Sequence, residues 1–168
     1  MAFVSLVFEV PAALCVEVND DTSHVVVVPV AYCRDTDRLV QVECRLTYTQ
    51  NPSLHSSVIW FHEFSFTILV VSLADDAPTY ETQDRACARP YLPESCRSLV
   101  MPIVCAGLRA LVGRVRPPVV YRVTKSRNPP EKALRKHILL TRLLEDEGYA
   151  LIDTGTDPWG RRFWVLGR

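Results

Sequence analysis

The sequence predicts a mixed α/β (α+β) protein, in which a strand-rich N-terminal half is followed by a strand, a helix, a strand, a helix and a hairpin. Residues 3–71 consist largely of β-branched and apolar runs separated by turn residues, a composition typical of strands. Two later segments carry apolar residues at helical spacing. A helix between two strands implies a parallel pair joined by a right-handed crossover, so the central sheet is expected to be mixed.

The first half is expected to contain five strands, at residues 3–10, 14–18, 24–32, 38–49 and 58–71. Residues 19–23 and 34–37 are expected to be turns. In the fifth strand, alternation places a carboxylate in the sheet, on the face that carries Phe61, Glu63, Ser65 and Thr67. The opposite face carries Trp60, His62, Phe64, Phe66 and Ile68.

Residues 74–93 contain four acids and three prolines and show no regular period. They predict a long irregular connection, which is a kind of segment that is often functional. An almost wholly apolar helix is expected next, over residues 93–112. Because proline lacks an amide donor and clashes with the preceding turn, this helix is expected to kink or restart at Pro102.

After a strand at residues 119–124, Asn128 is expected to cap a second long helix that ends at Gly148. The first turn of this helix holds Pro129, Pro130 and Glu131, a combination that favours helix starts. Its apolar residues cover most of the circumference, so it is expected to pack on more than one side. They are Ala133, Leu134, Ile138, Leu139, Leu140, Leu143 and Leu144.

A hairpin of residues 150–154 and 161–166 is expected to close the chain, around the turn residues Asp157, Pro158, Trp159 and Gly160. Three aromatic side chains lie on or beside this turn. They either form a binding patch or pack on the sheet of the hairpin itself. They are Trp159, Phe163 and Trp164.

With 168 residues, of which 48% are hydrophobic, the chain can bury a continuous core, and a single domain over residues 1–168 is expected. The N-terminus has no basic segment before its first apolar run, and that run contains Glu9, which argues against a signal peptide. The longest nearly uncharged runs are interrupted or shorter than the roughly 20 residues of a membrane-spanning helix. A cytoplasmic protein without a membrane segment is therefore expected.

Six cysteines occur at positions 15, 33, 44, 87, 96 and 105, and no pair has the C-x-x-C spacing. They are expected to be free thiols that pack in the interior. Among the histidines, His24, His55 and His137 are isolated, and no pair has a spacing such as H-x-x-x-H. No metal site is therefore expected.

The chain has a net charge of zero, but its charges are separated. Residues before Pro93 include 5 basic and 12 acidic side chains, whereas the rest of the chain includes 14 basic and 7 acidic ones. The halves therefore carry −7 and +7. This asymmetry indicates an anionic ligand or partner for the basic half, pairing between the halves within or between copies, or two solvated faces.

Ten basic residues between positions 109 and 142 are offset only by Glu131. They suit the phosphates of a nucleotide-like cofactor or of a nucleic acid. A nucleic acid is the less favoured partner, because Tyr121 is the one aromatic residue inside the cluster. The ten residues are Arg109, Arg114, Arg116, Arg122, Lys125, Arg127, Lys132, Arg135, Lys136 and Arg142.

The order of elements over residues 58–166 resembles the core of the GCN5-related N-acetyltransferase family. Residues 143–149, Leu-Leu-Glu-Asp-Glu-Gly-Tyr, are similar to the family's habit of ending its last helix with a Leu-rich turn, a glycine and an aromatic residue. The resemblance implies an acetyl-CoA-dependent N-acyltransferase. It also implies Glu63 as the general base, since family members often place one on the corresponding strand, where burial raises a carboxylate's pKa. The alternative, which the residue by itself favours, is a structural acid that faces an edge or is hydrogen-bonded.

The chain departs from the family at three places. The family binds the pyrophosphate of coenzyme A with backbone donors of an Arg/Gln-x-x-Gly-x-Gly/Ala turn, but residues 91–97 here read Tyr-Leu-Pro-Glu-Ser-Cys-Arg. Leu144 stands at the position of the family's frequent general-acid tyrosine. The two short helices that usually follow the first family strand have no clear place between Val10 and Val25. No cofactor-binding residue is therefore assigned.

Two functions remain open at this point. The first is a divergent acetyltransferase-like domain, with or without catalytic activity. The second is a non-enzymatic interaction or assembly protein that uses its acidic N-terminal and basic C-terminal halves for docking. The absent phosphate-binding turn favours the second, and the order of elements favours the first.

Overall fold

The structure, a computed structural model, describes residues 2–50 and 60–168 and contains nine strands and four helices there. The first seven elements are β1 (Val4–Ser5), β2 (Glu17–Asp20), β3 (Ser23–Cys33), β4 (Arg38–Gln50), β5 (Trp60–Ser72), β6 (Ala77–Thr82) and α1 (Arg85–Ala88). The others are α2 (Glu94–Arg97), α3 (Val100–Val115), β7 (Val119–Val123), α4 (Glu131–Asp146), β8 (Ala150–Thr156) and β9 (Arg162–Gly167).

The nine strands form one mixed sheet. Seven of them follow the order β1-β3-β4-β5-β7-β9-β8, while β2 pairs with β3 and β6 pairs with β5. The pair β5–β7 is parallel, and the pairs β1–β3, β5–β6, β7–β9 and β8–β9 are antiparallel. The predicted mixed α+β fold is therefore confirmed, as is the parallel pair on either side of the first long helix.

The chain divides into two compact units. The first comprises Met1–Glu17, Val25–Cys44 and Phe66–Ala110. The second comprises Val18–His24, Arg45–Ser65 and Leu111–Arg168. The expectation of a single domain over residues 1–168 stays a prediction. In the described part of the chain, no helix has the length and apolar character needed to cross a membrane.

The core of the first unit is built on the alternation of β3 and β4. Val40, Val42 and Cys44 are buried at every second position of β4, as the period of a strand requires. The thiol of Cys44 lies 3.9 Å from the carbonyl oxygen of Val104 on α3, and burial raises the pKa of this thiol to about 12. An apolar helix thus covers this face of the strand.

The first two predicted strands are wrong in extent. Only Val4–Ser5 pair, with Tyr32 and Ala31, and the second strand is Glu17–Asp20 rather than residues 14–18. The turn expected at residues 19–23 is also narrower. Asp20 accepts hydrogen bonds from the amide and hydroxyl of Thr22 and from the hydroxyl of Ser23, which closes the turn within residues 21–22.

The irregular connection expected at residues 74–93 is wrong, because Ala77–Thr82 form β6 and pair with β5. Asp76, at φ 50°, lies in the turn between the two strands. The register shifts between Val70 and Val71, opposite Pro78, whose missing amide cannot contribute to the strand pairing. Since most of β6 is exposed, its sequence shows no period of buried residues.

The helix expected at residues 93–112 is two helices, α2 and α3, separated at residues 98–99. A restart is therefore confirmed, but it precedes Pro102, the third residue of α3. In the first turn of a helix the amide has no intrahelical acceptor, so a proline is tolerated there. Helix α3 also continues to Val115.

At the start of α4 the predicted cap is wrong. Pro130 occupies the N-cap. Asn128 has a left-handed φ of 44°, and its backbone amide donates to the carbonyl oxygen of Gly160 at 2.8 Å. Gly148 follows the helix with a φ of 88°, a conformation that glycine adopts readily, so the predicted end is confirmed.

The expectation that α4 packs on more than one side is wrong for two of its apolar residues. Leu140, Leu143 and Leu144 are buried, but Ile138 and Leu139 are 49% and 47% exposed.

The predicted hairpin at the end of the chain is confirmed as β8 and β9. Its turn has the amide of Gly160 bonded to the carbonyl oxygen of Asp157 at 2.9 Å.

All six cysteines are free, as predicted. Cys33, Cys44 and Cys96 are buried, in agreement with a packing role. Cys15 and Cys87 are exposed, so the packing interpretation is wrong for these two thiols.

The close contact between α3 and β4 predicts opposite effects for two glycines of α3. A Cβ at Gly107 would lie 2.7 Å from the sulfur of Cys44, whereas a Cβ at Gly113 would meet nothing within 4 Å. Alanine raises helix propensity by roughly 1 kcal/mol at either position, but overpacking costs about 1–3 kcal/mol. We expect Gly113→Ala to raise the free energy of unfolding in urea and Gly107→Ala to lower it.

Adding Cys44→Ala to Gly107→Ala should restore part of the lost stability, because it removes the sulfur that the new methyl group meets. If Gly107→Ala alone is as stable as Gly113→Ala, the close packing of α3 on Cys44 is contradicted.

Candidate acid–base site

The candidate site is centred on the parallel pairing of β5 and β7 in the second unit. His62 pairs with Val120 and Glu63 pairs with Tyr121, so Glu63 and Tyr121 are neighbours across the two strands. Residues opposite each other in a sheet project to the same face. The predicted general base therefore lies beside a phenol.

The surroundings of Tyr121 are apolar. The side chains of Phe61, Tyr121 and Val165 form a buried cluster, against which Val119, Val123 and Phe163 pack. The ring of Phe61 lies 4.7 Å from that of Tyr121, centroid to centroid. Glu63, which is half-buried, is thus a carboxyl at the border of an aromatic cluster.

The turn between β8 and β9 positions a cation near this carboxyl. Asp157 accepts hydrogen bonds from the amides of Trp159 and Arg161, at 3.0 and 2.8 Å. Its second oxygen accepts a 2.7 Å hydrogen bond from Nε of Arg161, whose guanidinium lies 5.1 Å from the ring of Trp159. The positive charge of Arg161 acts on both Glu63 and Tyr121.

Burial determines the protonation of this pair. It raises the pKa of Glu63 above its ordinary value, and the charge of Arg161 offsets part of that shift. Burial, reinforced by the negative charge of Glu63, raises the pKa of Tyr121 to about 12, so the phenol stays protonated. A carboxyl of raised pKa beside a phenol is an arrangement that can accept and donate protons.

The neighbouring His62 belongs to a different set of contacts. Its ring lies 5.0 Å from that of Tyr48, which in turn stacks on Trp60 at 5.3 Å. Burial, together with the charge of His24, lowers the pKa of His62, which favours a neutral imidazole. Successive residues of a strand project to opposite faces, so His62 is not placed to act with Glu63.

Two prolines lie at helix starts in and beside residues 91–97, the segment that the resemblance compares with the family's phosphate-binding turn. Pro93 is the N-cap of α2 and Pro102 lies in the first turn of α3, and neither has an amide hydrogen. Glu94 places a negative charge in the first turn of α2. The guanidinium of Arg97 donates to the carbonyl oxygens of Leu92 and Arg89, at 2.8 and 3.1 Å.

Leu144 and Tyr149, the two residues that the resemblance compares with the family near the end of α4, are both buried. Leu144 is fully buried, and a leucine cannot transfer a proton. Tyr149 is also buried, and its hydroxyl donates to the carbonyl oxygen of Pro117 at 2.8 Å. Burial raises the pKa of Tyr149.

A buried arginine lies between β7 and α4. Arg122 donates to the carbonyl oxygen of His137 at 3.1 Å and to the hydroxyl of Thr141, while its Nε and Nη1 have no partner among the described residues. Burial lowers its pKa to about 9. The ring of His137 stacks on Trp164, and burial followed by the charges of Arg122 and Lys136 lowers the pKa of His137 to about 3.

The ten basic residues do not form a uniform surface. Arg122 is buried and Lys136 is half-buried. The others whose side chains are described are exposed: Arg109, Arg114, Arg116, Lys125, Arg127, Arg135 and Arg142.

The aromatic side chains around the hairpin do not form a shared patch, because Trp159 is 46% exposed whereas Trp164 is buried against His137.

A depression of about 430 Å³ in the second unit is lined by Val112, Gly113, Arg116, Glu147 and Arg168, and it does not include Glu63. Arg168 donates to the carbonyl oxygen of Glu147 at 3.2 Å. Helices α3 and α4 both end beside it, and helix C-termini disfavour anions. Within residues 2–50 and 60–168, no three His, Cys, Asp or Glu side chains are grouped as a metal site requires.

No family model, no curated protein and no solved structure matches the chain. The resemblance to the GCN5-related N-acetyltransferases therefore stays a prediction, and the site is judged on its own geometry.

Sequence reasoning singled out Glu63 but missed Tyr121 and Arg161 as its neighbours. In the sequence, Tyr121 stands out only as the lone aromatic residue of the basic cluster, because its pairing with Glu63 depends on the register of two strands that are distant along the chain. The position of Asp157 could have indicated its contact with Arg161, since an acidic residue at the first position of a turn often binds the backbone amides that follow it.

The raised pKa of Glu63 predicts the pH dependence of stability. The folded state holds the proton of Glu63 more tightly than the unfolded state, whose ordinary value is 4.5. Its stabilising effect is therefore present below that value and is lost as the pH rises through the folded-state pKa. We expect the free energy of unfolding of Glu63→Gln, relative to wild type, to increase between about pH 4 and pH 8.

Urea unfolding at several pH values measures this difference, and Glu94→Gln, which removes an exposed carboxylate of the first unit, controls for the loss of one negative charge. A difference that decreases with rising pH would contradict the raised pKa of Glu63.

The incomplete hydrogen bonding of Arg122 predicts that Arg122→Met is at least as stable as wild type, with a gain of up to about 3 kcal/mol. Methionine fills similar space without a buried charge, whereas Arg122→Lys keeps the charge and should be less stable than Arg122→Met. Thermal and urea unfolding measure both variants. A loss of more than about 3 kcal/mol in Arg122→Met would mean that Arg122 faces a counter-charge.

Proposed function

We propose that this chain is a divergent acetyltransferase-like domain that does not bind coenzyme A in the family's manner and works as a non-enzymatic docking domain. The succession of β5, α3, β7, α4, β8 and β9 supports the first part of this proposal, because it agrees with the element order of that family, while β6, α1 and α2 are additional elements between β5 and α3. The proposed location is the cytoplasm, where six free thiols would stay reduced.

The observation that carries the proposal is the composition of residues 91–102. Anion binding at a helix start requires free amides and benefits from the helix dipole. Here two of the positions are prolines, and Glu94 adds a charge that repels phosphate. Arg97, which would be the obvious cation for a phosphate, is bonded to backbone carbonyls.

The separation of charge supports the docking role. The basic side chains of the C-terminal half are mostly exposed, so they are accessible to an acidic partner. Complementary charge accelerates association and selects among partners, even where it adds little affinity. A partner protein is favoured over a nucleic acid, because Tyr121 is buried and cannot stack on a base.

A second candidate function is acetyl-CoA-dependent N-acyl transfer, and the pair of Glu63 and Tyr121 favours it. In that case Glu63 would take the proton from the attacking amine, and a protonated group would supply one to the leaving thiolate. Burial raises the pKa of Glu63, which makes its carboxylate a stronger base.

Thermal unfolding in the presence of acetyl-CoA tests the proposal. A ligand at about a hundred times its dissociation constant stabilises the native state by about 2.7 kcal/mol. For a domain of this size, that would raise Tm by a few degrees. We expect acetyl-CoA at millimolar concentration to leave Tm unchanged, because residues 91–102 lack an anion-binding turn.

ATP at the same concentration controls for general anion binding to the basic half. A rise in Tm that acetyl-CoA produces in a concentration-dependent way and ATP does not would overturn the proposal in favour of the second candidate. Loss of acetyl transfer in Glu63→Gln, with unchanged acetyl-CoA binding, would then assign Glu63 as the base.

A further inference from the structure

The exposed face of α4 is unusual, because large aliphatic side chains stand at its centre. Ile138 and Leu139 are 49% and 47% exposed, although Leu140, Leu143 and Leu144 on the same helix are buried. Leaving two such side chains in water forgoes the stabilisation that burial of their apolar surface would provide. The second apolar side of α4 therefore has no cover within the described part of the chain.

Charged residues surround this apolar pair in a defined pattern. Arg135 precedes Ile138 by three positions and Arg142 follows Leu139 by three, so all four side chains lie on one face of the helix. Both arginines are exposed, and neither has an ion-pair partner among the residues that the structure describes. Acidic residues lie beyond them: Glu131, Glu145 and Asp146.

A second copy of the chain fits this face poorly. Two antiparallel α4 helices that bring Ile138 against Leu139 also bring Arg135 against Arg142 and Glu131 against Asp146. A parallel pair would place each residue against itself. In both arrangements like charges meet, and like-charge pairs across an interface are destabilising.

An anionic membrane or a nucleic acid also fits poorly. Such surfaces favour a face that is basic throughout, whereas Glu131, Glu145 and Asp146 place three carboxylates on this one. A polypeptide can instead alternate its charges to match the helix. Two carboxylates that face Arg135 and Arg142 would be about 10 Å apart along a helix, at a rise of about 1.5 Å per residue.

We propose that the face of Arg135, Ile138, Leu139 and Arg142, the α4 face, docks an amphipathic helical segment of another protein. This segment carries acidic residues at positions i and i+7 and apolar residues at i+3 and i+4. The inference deepens the proposed docking function. The apolar residues of the segment bury Ile138 and Leu139, and its carboxylates pair with the two arginines, as when a helix binds in a groove.

The probe is a fluorescein-labelled, designed helical peptide with Glu, Leu, Leu and Glu at positions i, i+3, i+4 and i+7 and Ala and Gln elsewhere. A matched peptide has Lys in place of both Glu residues. Fluorescence anisotropy with the full chain at about 50 mM salt keeps screening weak. We expect the Glu peptide to bind at least tenfold more tightly than the Lys peptide.

The double variant Arg135→Glu/Arg142→Glu should reverse this preference, because the charges of the face are then exchanged. Ile138→Ser/Leu139→Ser should weaken binding of the Glu peptide at least tenfold, and it should fold, since both side chains are exposed. Arg34→Glu/Arg89→Glu, which alters two exposed arginines of the first unit, should bind like wild type.

Equal binding of both peptides, or a preference that the charge reversal leaves unchanged, overturns the proposal. It is also overturned if the free chain dimerises and Ile138→Ser/Leu139→Ser abolishes the dimer, or if wild type but not Arg135→Glu/Arg142→Glu binds anionic phospholipid vesicles. Binding of acetyl-CoA would contradict only the non-enzymatic function, so the failures of the two proposals are distinguishable.

Discussion

The short parallel pairing of β5 with β7 is the constraint on which the second unit depends. Two residue pairs, His62–Val120 and Glu63–Tyr121, fix the register of strands that are joined through α3. Parallel strands require such a crossover, and the closing hairpin extends the sheet because β9 pairs with the other edge of β7. The same register places a carboxyl beside a buried phenol, so the candidate site is a direct consequence of the pairing.

Acid–base groups and backbone donors that bind an anion are separate requirements of an acyltransferase that uses coenzyme A. Burial raises the pKa of Glu63, which makes it a stronger base, and it raises the pKa of Tyr121, which keeps the phenol protonated but makes it a weaker acid. At residues 91–102, Pro93 and Pro102 have no amide hydrogen, and Glu94 adds a negative charge that repels a pyrophosphate. The proposal of a docking function gives these residues more weight than the pair of Glu63 and Tyr121, because a cofactor must bind before chemistry can follow.

The two faces of helix α4 differ in burial. One face buries leucines, and beside it Arg122 is held by the carbonyl oxygen of His137 and the hydroxyl of Thr141. The opposite face leaves Ile138 and Leu139 in water between arginines. Exposed aliphatic side chains are ordinary when they are scattered, but these two are adjacent and framed by charge, which is the reason that we propose this face as a docking surface.

The sequence by itself determined the mixed fold, both long helices and the final hairpin, because β-branched runs, helical spacing and turn residues are local signals. It also determined that Glu63 enters a strand. Only the tertiary structure decided that residues 77–82 pair with β5, since a largely exposed strand has no apolar period. The register that sets Tyr121 beside Glu63 is a non-local choice. An apolar pattern shows which side chains can be buried, but the available neighbours decide which are, and for Ile138 and Leu139 the chain provides none in its described part.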